Sequence, residues 1–374
     1  MEYVRARGVR SAVVGLAFVL VLGACSSTAG PGTSQASAAA SQAPGTASTV
    51  PSSSGPNPVL RVGTAAALTN FADIYVAQAK GYFKQAGVDV QISTGVGANG
   101  LNMVVSGALD LLMFGTGQAL IPASRGIDTN IVYNQIGAGE DAVLAVKSDS
   151  SYQTPTDLSG KRVAVLGVGG SSYGWGEYFS SYSASHGGSA YNIIQSSSVS
   201  IQVDGLISGY YDAVVSTASL LTKQMASGQV RLVVDPTTPA GEKYIPAQYV
   251  ETCTFGLAQN LSAKHDAVVR FLEGMQAADT WLHQASAGDI AAALKLNKDF
   301  DGQTLATVTA GAEFDKHFYA PSLGMITPQT WQATLDQLKY WGLPGVDLTD
   351  PKFGFDQRVN MSYLQEAEAH KLTP

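Results

Sequence analysis

A glycine–serine segment, residues 170–174 with the sequence GSSYG, has the residue types and spacing of a serine nucleophile motif. The G-x-S-x-G pattern places a serine on the sharp turn between a strand and a helix, and Ser172 would be that serine. The apolar run VAVL at 163–166 is long enough for the preceding buried strand. The same turn would present unpaired backbone N–H groups to an anion or another strong acceptor. An ordinary β-to-α turn explains these residues equally well.

A serine hydrolase would also need a histidine base and an acid later in the chain. The histidines after Ser172 are scattered, at His186, His265, His283, His317 and His370. His186 falls in a Gly/Ser turn, and His265, His283 and His370 have the pattern of polar-face helix residues, so His317, two residues after Asp315, is the candidate base. We therefore expect no enzyme activity and no catalytic residue, and a hydrolase that uses Ser172 is the alternative.

Cofactor and metal sites are also disfavoured. Residues 95–100, GVGANG, fit the G-x-G-x-x-G dinucleotide pattern. That pattern requires an acid at the end of the next strand, whereas Asp110 stands at the start of the strand predicted at 110–114. The five histidines lack metal-binding spacing, and the chain has only two cysteines, Cys25 and Cys253. We expect neither a cofactor nor a metal.

The elements that would position a site alternate between strand and helix from residue 59 onward, which predicts a mostly parallel sheet with helices on both faces. Thr69 or Asn70 is a predicted cap for a helix at 71–80. The pattern restarts after residue 155, and helices predominate from Ser262, a second predicted cap. We therefore predict an α/β protein with two lobes and two crossings. Lobe I comprises 58–148 and 250–374 with the C-terminal helices, and lobe II comprises 149–249.

Ligands of such sheets bind at the carboxyl ends of the strands. The predicted ligand-binding residues at those ends are Thr69, Asn70, Phe71, Gly97, Ala98, Asn99, Thr116, Gly117, Gln118, Gly170, Ser171, Ser172, Tyr173, Ser216, Thr217 and Thr252. They offer hydroxyls, amides and backbone N–H groups, but no Lys or Arg. Donors without positive charge favour a small polar organic molecule over an inorganic anion. The aromatic residues Phe71, Tyr173 and Trp175 either stack on a ligand ring or belong to the core.

The N-terminus has the composition of a secretion signal. Three arginines precede an apolar segment at 11–22 that is too short to be read first as a membrane-spanning helix, and LGAC at 22–25 looks like a bacterial lipobox. We predict a signal peptide at 1–24, lipidation of Cys25 and a disordered tether at 25–57. Cys253 then has no partner and suits a buried position. Removal of the signal would change the net charge from −7 to about −9, which disfavours nucleic acid as a partner.

Five segments occur in an order and spacing that are specific when taken together. They are LRVG at 60–63, YVAQAKGYFK at 75–84, SGALD at 106–110, DLSGKRVAV at 157–165 and DAVVRFL at 266–272. This series resembles the SsuA/THI5-like (NMT1) family of sulfonate-, nitrate- and thiamine-precursor-binding proteins, which are solute-binding components of ABC importers. The likeness extends from about residue 59 to 345.

The resemblance implies a two-lobed, type II periplasmic-binding fold whose ligand lies in the interlobe cleft and drives hinge closure. It also implies an extracytoplasmic, monomeric lipoprotein, anchored to the cell membrane by its lipid, with a permease and an ATPase as partners. The expected ligand is a sulfonate or a heterocycle such as a thiamine precursor. A ligand-sensing protein that signals to a receptor is a further alternative.

Overall fold

The computed structural model describes residues 56–168, 170–245 and 248–372. The predicted signal peptide, Cys25 and nearly all of the predicted tether lie outside these ranges. Within them, no helix combines the length and the apolar character needed to cross a membrane.

The described residues form ten strands in two mixed five-stranded sheets. The strands are β1 (Val59–Thr64), β2 (Asp89–Thr94), β3 (Leu111–Gly115), β4 (Thr129–Ile136), β5 (Val143–Lys147), β6 (Arg162–Val165), β7 (Asn192–Gln195), β8 (Ala213–Ser216), β9 (Val230–Val234) and β10 (Thr252–Leu257). Sheet A has the order β2-β1-β3-β10-β4, and sheet B has the order β7-β6-β8-β5-β9. One strand in each sheet, β10 in sheet A and β5 in sheet B, runs antiparallel to both of its neighbours. The α/β prediction is confirmed.

Helices cover the sheets and form the C-terminal part of the chain. They are α1 (Ala72–Ala79), α2 (Tyr82–Ala86), α3 (Gly100–Val105), α4 (Gly117–Ser124), α5 (Ser171–Ser185), α6 (Val199–Ile207), α7 (Thr222–Ala226), α8 (Pro239–Glu242), α9 (Ala258–Ala263), α10 (His265–Gln284), α11 (Ala287–Leu294), α12 (Leu305–Asp315), α13 (Pro328–Leu338), α14 (Phe355–Arg358) and α15 (Ser362–Glu368). Short 3₁₀ helices at Thr69–Phe71 and Ala218–Leu220 follow the first strand of sheet A and the strand β8 of sheet B.

The strands form because short apolar runs are buried between these helices, as parallel sheets require. Cys253 in β10 is fully buried and free, which confirms its prediction as a small core residue. Phe71 and Trp175 also belong to the hydrophobic core. Of the two roles predicted for these aromatic residues, Phe71 and Trp175 therefore have the core role, and Tyr173 packs at the edge of the same core.

In the described ranges the chain crosses between the sheets twice, after β4 through residues 137–142 and between the end of β9 and the start of β10. The sequence prediction ended the first part of lobe I at residue 148, which placed β5 in lobe I. In the structure β5 pairs with β8 and β9 in sheet B. That boundary was wrong because an apolar run specifies a buried strand but not its neighbours.

Two predicted helix caps were also wrong. Ser262 lies inside α9, and α10 begins at His265 without a side-chain cap. Neither Thr69 nor Asn70 caps α1, because both side chains bond to carboxyl groups from distant parts of the chain.

Candidate functional site

The carboxyl ends of the parallel strands in both sheets lie at the crossings that join the lobes. In sheet A, β1, β3 and β4 end at this edge, and in sheet B, β6, β8 and β9 end there. Helix α12 also contacts the 3₁₀ helix Ala218–Leu220 of lobe II. A Cβ on Gly311 of α12 would lie 2.6 Å from Thr69 Oγ1 and 3.5 Å from Ser219 Cβ, so the two lobes meet beside Thr69.

Two consecutive residues of lobe I, Thr69 and Asn70, hold carboxyl groups that are distant in sequence. Thr69 Oγ1 donates to Oδ2 of Asp315 at 2.5 Å, and Asn70 Nδ2 donates to Oε2 of Glu140 at 3.4 Å. The hydroxyl of Tyr319 fixes this turn by donating to the Thr69 carbonyl at 2.9 Å. All five side chains are buried. Lobe I therefore places two carboxyl groups side by side at the crossing.

Lobe II brings hydroxyl groups to the same crossing. Ser171, at the start of α5, donates to the carboxyl of Asp141. Burial raises the pKa of Glu140 well above its ordinary value, and the hydroxyl of Thr217 partly offsets this shift. Ser216, which precedes Thr217 at the end of β8, is also buried. The donor-rich turn predicted at 170–174 thus holds an acceptor, but the acceptor is a carboxyl group of the chain itself.

Glu251 ties the two crossings together. Its Oε2 accepts from the backbone N–H groups of Gly139 at 2.7 Å and Glu140 at 2.9 Å. Its Oε1 accepts from Nε1 of Trp175, on α5 of lobe II, at 2.7 Å. Because these donors come from the first crossing and from lobe II, the Glu251 carboxyl fixes both relative to the second crossing.

Burial raises the pKa of all four carboxyl groups at the crossing. The pKa of Asp315 rises to about 7 and that of Glu251 to about 8. Those of Glu140 and Asp141 also rise, and repulsion from neighbouring carboxyl groups adds to the shift at Glu140. Among the described residues, none of the ion pairs formed by Lys, Arg or His involves these four acids. We call Glu140, Asp141, Glu251 and Asp315 the acid cluster.

Several buried polar atoms here have no hydrogen-bond partner within the described part of the chain. They are Oδ1 of Asn70, Oε1 of Glu140, Oγ of Ser216 and Oδ1 of Asp315. An unpaired buried polar atom costs about 1–3 kcal/mol, and native proteins satisfy nearly all of them. These atoms belong to the acid cluster or to residues beside it in both lobes, which makes this crossing the candidate site.

Trp341 joins the lobes on another side of the crossing. Its indole lies fully buried between Gly115 at the end of β3 and Gly174 on α5. A Cβ on Gly174 would lie 2.0 Å from Cδ1 of this ring, and one on Gly115 would lie 3.4 Å from Cζ3. Tyr340 also makes an edge-to-face contact with Tyr178 of α5, with ring centroids 5.4 Å apart. The segment after α13 therefore packs directly on lobe II.

A cavity of about 640 Å³ flanks the crossings. Its walls include Gly137, Thr237, Gln248, Lys316 and Phe318, and none of the predicted ligand-binding residues. The Lys316 ammonium beside it already donates to the Ala285 carbonyl at 2.9 Å. We place the candidate site at the acid cluster because four of the twelve unpartnered polar atoms in the described residues occur there or on neighbouring residues, from both lobes.

Comparison with known proteins identifies the family. The model of the family described as "NMT1/THI5 like" matches residues 68–285, which is more than half of the chain. The chain belongs to this family. A relative in Bacillus subtilis (strain 168) bears the name "Putative binding protein YtlA", and it is 25% identical over 270 residues that cover 70% of this chain and 77% of YtlA.

Solved structures show that this NMT1/THI5-like chain has a periplasmic-binding-protein-like fold. The alkanesulfonate-binding protein SsuA from Xanthomonas axonopodis pv. citri has a TM-score of 0.60 and 19% identity, with 78% of this chain and 96% of SsuA covered. The desulfurization enzyme DSZB has a TM-score of 0.57 and 16% identity, with 84% and 99% covered. The fold therefore serves both a binding protein and an enzyme.

The structure brings a subset of the predicted site residues to the acid cluster. Thr69, Asn70, Ser171 and Thr217 interact with it, and Ser216 adds an unpartnered hydroxyl. Thr116 donates to the Glu251 carbonyl at 3.2 Å, so its hydroxyl serves the backbone of the second crossing. Thr252 is buried as the first residue of β10.

The other predicted residues have different surroundings. Ser172 donates to the Val215 carbonyl at 2.6 Å and accepts from Leu166 N at 3.2 Å, so backbone groups occupy its hydroxyl. Asn99 is exposed. The remaining positions are Phe71 in the core, Gly97 and Ala98 in a 3₁₀ helix with Asn99, Gly117 and Gln118 at the start of α4, Gly170 before α5, and Tyr173 against Gly342.

The sequence prediction missed the acid cluster and Trp341. A signal existed for Glu140 and Asp141, which stand as consecutive acids between two apolar strands. Asp315 entered only as a neighbour of His317, yet Asp315 is buried whereas His317 is exposed. Nothing local marks Glu251 or Trp341, because their contacts lie far away in the sequence.

Proposed function

We propose that this protein is the extracytoplasmic solute-binding component of an ABC importer. It captures a small polar organic molecule between its lobes and delivers it to a membrane permease that is coupled to an ATPase. The observation that carries the proposal is the set of buried polar atoms, from both lobes, that have no partner at the crossings. Membership of the NMT1/THI5-like family and the names of YtlA and SsuA support it.

The binding mechanism follows from which groups each lobe contributes. Asn70 and the carboxyl groups that flank it offer one side of the site, and Ser216 with Thr217 offers the other. A ligand that bonds to both sides stabilises the closed arrangement, because only closure brings the two sets together. Each neutral hydrogen bond contributes about 1 kcal/mol, so loss of one should weaken binding roughly fivefold.

The proposal includes a lipid anchor at Cys25, with a tether at 25–57 that holds the folded lobes outside the membrane as a monomer. Replacement of Cys25 by Ser in the full chain should move the protein from the detergent phase to the aqueous phase in Triton X-114 partition. A Cys25→Ser protein that stays with the detergent would refute the anchor.

Binding is favoured over serine hydrolysis because Ser172 is already hydrogen-bonded to backbone groups on both sides. Its proton is held by the Val215 carbonyl, and no histidine takes part in these bonds. A hydrolase would require that proton to pass to a histidine base. Ester hydrolysis by the purified protein that disappears in Ser172→Ala would favour the enzyme instead.

The proposed binding function is tested with the full-length Cys25→Ser protein, unfolded and refolded to remove any bound molecule. A compound that raises the melting temperature should also reduce the radius of gyration measured by small-angle X-ray scattering. Asn70→Ala should weaken that compound's binding. The matched control Asn102→Ala, at an exposed position on α3, should leave it unchanged. Equal affinity in both variants would place the ligand elsewhere.

A further inference from the structure

The unpartnered atoms beside Thr69 and Asn70 share one chemical property. Each of these consecutive residues binds one oxygen of a carboxyl group, namely Oδ2 of Asp315 and Oε2 of Glu140. The other oxygens, Oδ1 of Asp315 and Oε1 of Glu140, have no partner in the described residues. The two free oxygens are thus held by neighbouring residues on a single turn.

A third acceptor, from an amide, joins these two oxygens. Asn70 is only 8% exposed and uses its amide nitrogen on Glu140, so its unpartnered Oδ1 is left beside the carboxyl groups. This buried amide oxygen accepts hydrogen bonds whether or not the neighbouring carboxyl groups are ionised. It indicates the same kind of partner, a group that donates hydrogen bonds. Ser216 can either donate or accept, and its unpartnered hydroxyl lies at the end of β8 in lobe II, opposite the start of β5.

An anionic ligand does not suit these atoms. A sulfonate or a nitrate offers only acceptor oxygens, which cannot bond to the amide oxygen of Asn70 or to carboxyl groups in their ionised form. It would also lie close to carboxyl groups that, among the described residues, form no ion pair with Lys, Arg or His. Repulsion between like charges is strong where water is excluded.

We propose that the ligand is a nitrogenous organic cation with at least two N–H donors, which bind Oδ1 of Asp315 and Oε1 of Glu140. Of the ligand classes expected from the sequence, this retains a protonated heterocycle and rejects a sulfonate. The inference rests on the proposed binding function and assigns the chemistry of the same site. Burial raises the pKa of both carboxyl groups, and a bound cation would lower these pKa values again by stabilising the ionised forms that it contacts.

The test measures binding to the full-length Cys25→Ser protein by thermal shift and calorimetry. The probes are triads of similar shape and different charge: benzamidinium, benzamide and benzenesulfonate, then butylguanidinium, butylurea and butanesulfonate, with nitrate added. The cation of at least one triad should bind, whereas its neutral and anionic counterparts should not. A sulfonate or nitrate that binds and closes the lobes would overturn the cation assignment and leave the proposed function intact. If no probe binds, both the cation assignment and the proposed binding function at the acid cluster are overturned.

Variants assign the binding cation to its acceptors. Asp315→Asn and Glu140→Gln should each lower the affinity for the cation by about 10- to 100-fold, as expected for loss of a charge-assisted hydrogen bond. The matched control Glu313→Gln, an exposed acid on the same helix as Asp315, should bind like the parent protein. Melting temperatures verify folding, and Glu140→Gln serves if Asp315→Asn does not fold. Unchanged affinity in a folded variant refutes the assignment.

Discussion

Replacement of Gly174 by Ala should open the lobes without unfolding them. Gly174 lies on α5 of lobe II, and its missing side chain leaves room for the indole of Trp341, which packs on Gly115 of lobe I. A Cβ at this position would lie 2.0 Å from Cδ1 and 2.3 Å from Nε1 of the ring. Ordinary contact requires about 3.5–4 Å, so the two groups must separate by roughly 1.5 Å or more.

The magnitude follows from two opposing effects. Overpacking of a buried contact costs about 1–3 kcal/mol, and this cost applies only while the lobes are together. Ala in place of Gly within a helix stabilises the folded chain by about 0.5–1 kcal/mol in either arrangement. The closed form should therefore lose roughly 5- to 150-fold in population relative to the open form, while the melting temperature changes little.

Small-angle X-ray scattering and calorimetric melting of the full-length protein measure these two quantities. We expect a larger radius of gyration for Gly174→Ala at nearly the parent melting temperature. The matched control is Gly288→Ala on α11, where a Cβ would meet only Ser286 Oγ at 3.7 Å, and its radius should not change. An unchanged radius with a melting temperature lowered by many degrees would refute the reasoning, since the Trp341 contact would then belong to the permanent core.

Buried carboxyl groups away from the site provide two further predictions. Burial raises the pKa of Asp73 from 3.8 to about 7, so the folded state keeps a proton that the unfolded state releases; stability should fall by at most about 4 kcal/mol as the pH rises from 4 to 7. Asp73→Asn should flatten this part of the melting profile against pH, and an unaltered profile would contradict the assignment. Asp110 accepts from Arg61 at 2.7 Å and Lys264 at 2.8 Å. In urea titration, Asp110→Asn should lower the free energy of unfolding by about 1–3 kcal/mol, because both charge-assisted hydrogen bonds are lost. The loss stays in this range since both cations are partly exposed and regain water. An unchanged free energy of unfolding would refute the contribution of these two ion pairs to stability.

Part of the candidate site was predictable because the carboxyl ends of strands can be located from local patterns. The predicted strand at 110–114 overlaps β3, and the segment at 163–166 overlaps β6. From these positions the sequence identified Thr69, Asn70, Ser171, Ser216 and Thr217 as candidates. Their bonding partners were not predictable, since Asn70 and Glu140 are 70 positions apart and Thr69 and Asp315 are 246 apart.

The sequence by itself determined the α/β class, the two lobes and the family, because apolar periodicity, turn residues and ordered motifs are local features. Only the tertiary structure decided that β5 belongs to sheet B and that buried carboxyl groups from a crossing and from α12 meet at Asn70. Composition at the strand ends indicated a neutral site rich in donors, whereas the structure adds the buried carboxyl groups of Glu140, Glu251 and Asp315 to those donors. The reason is physical: the charge of a cleft is set by which segments converge on it, and that convergence depends on packing between lobes.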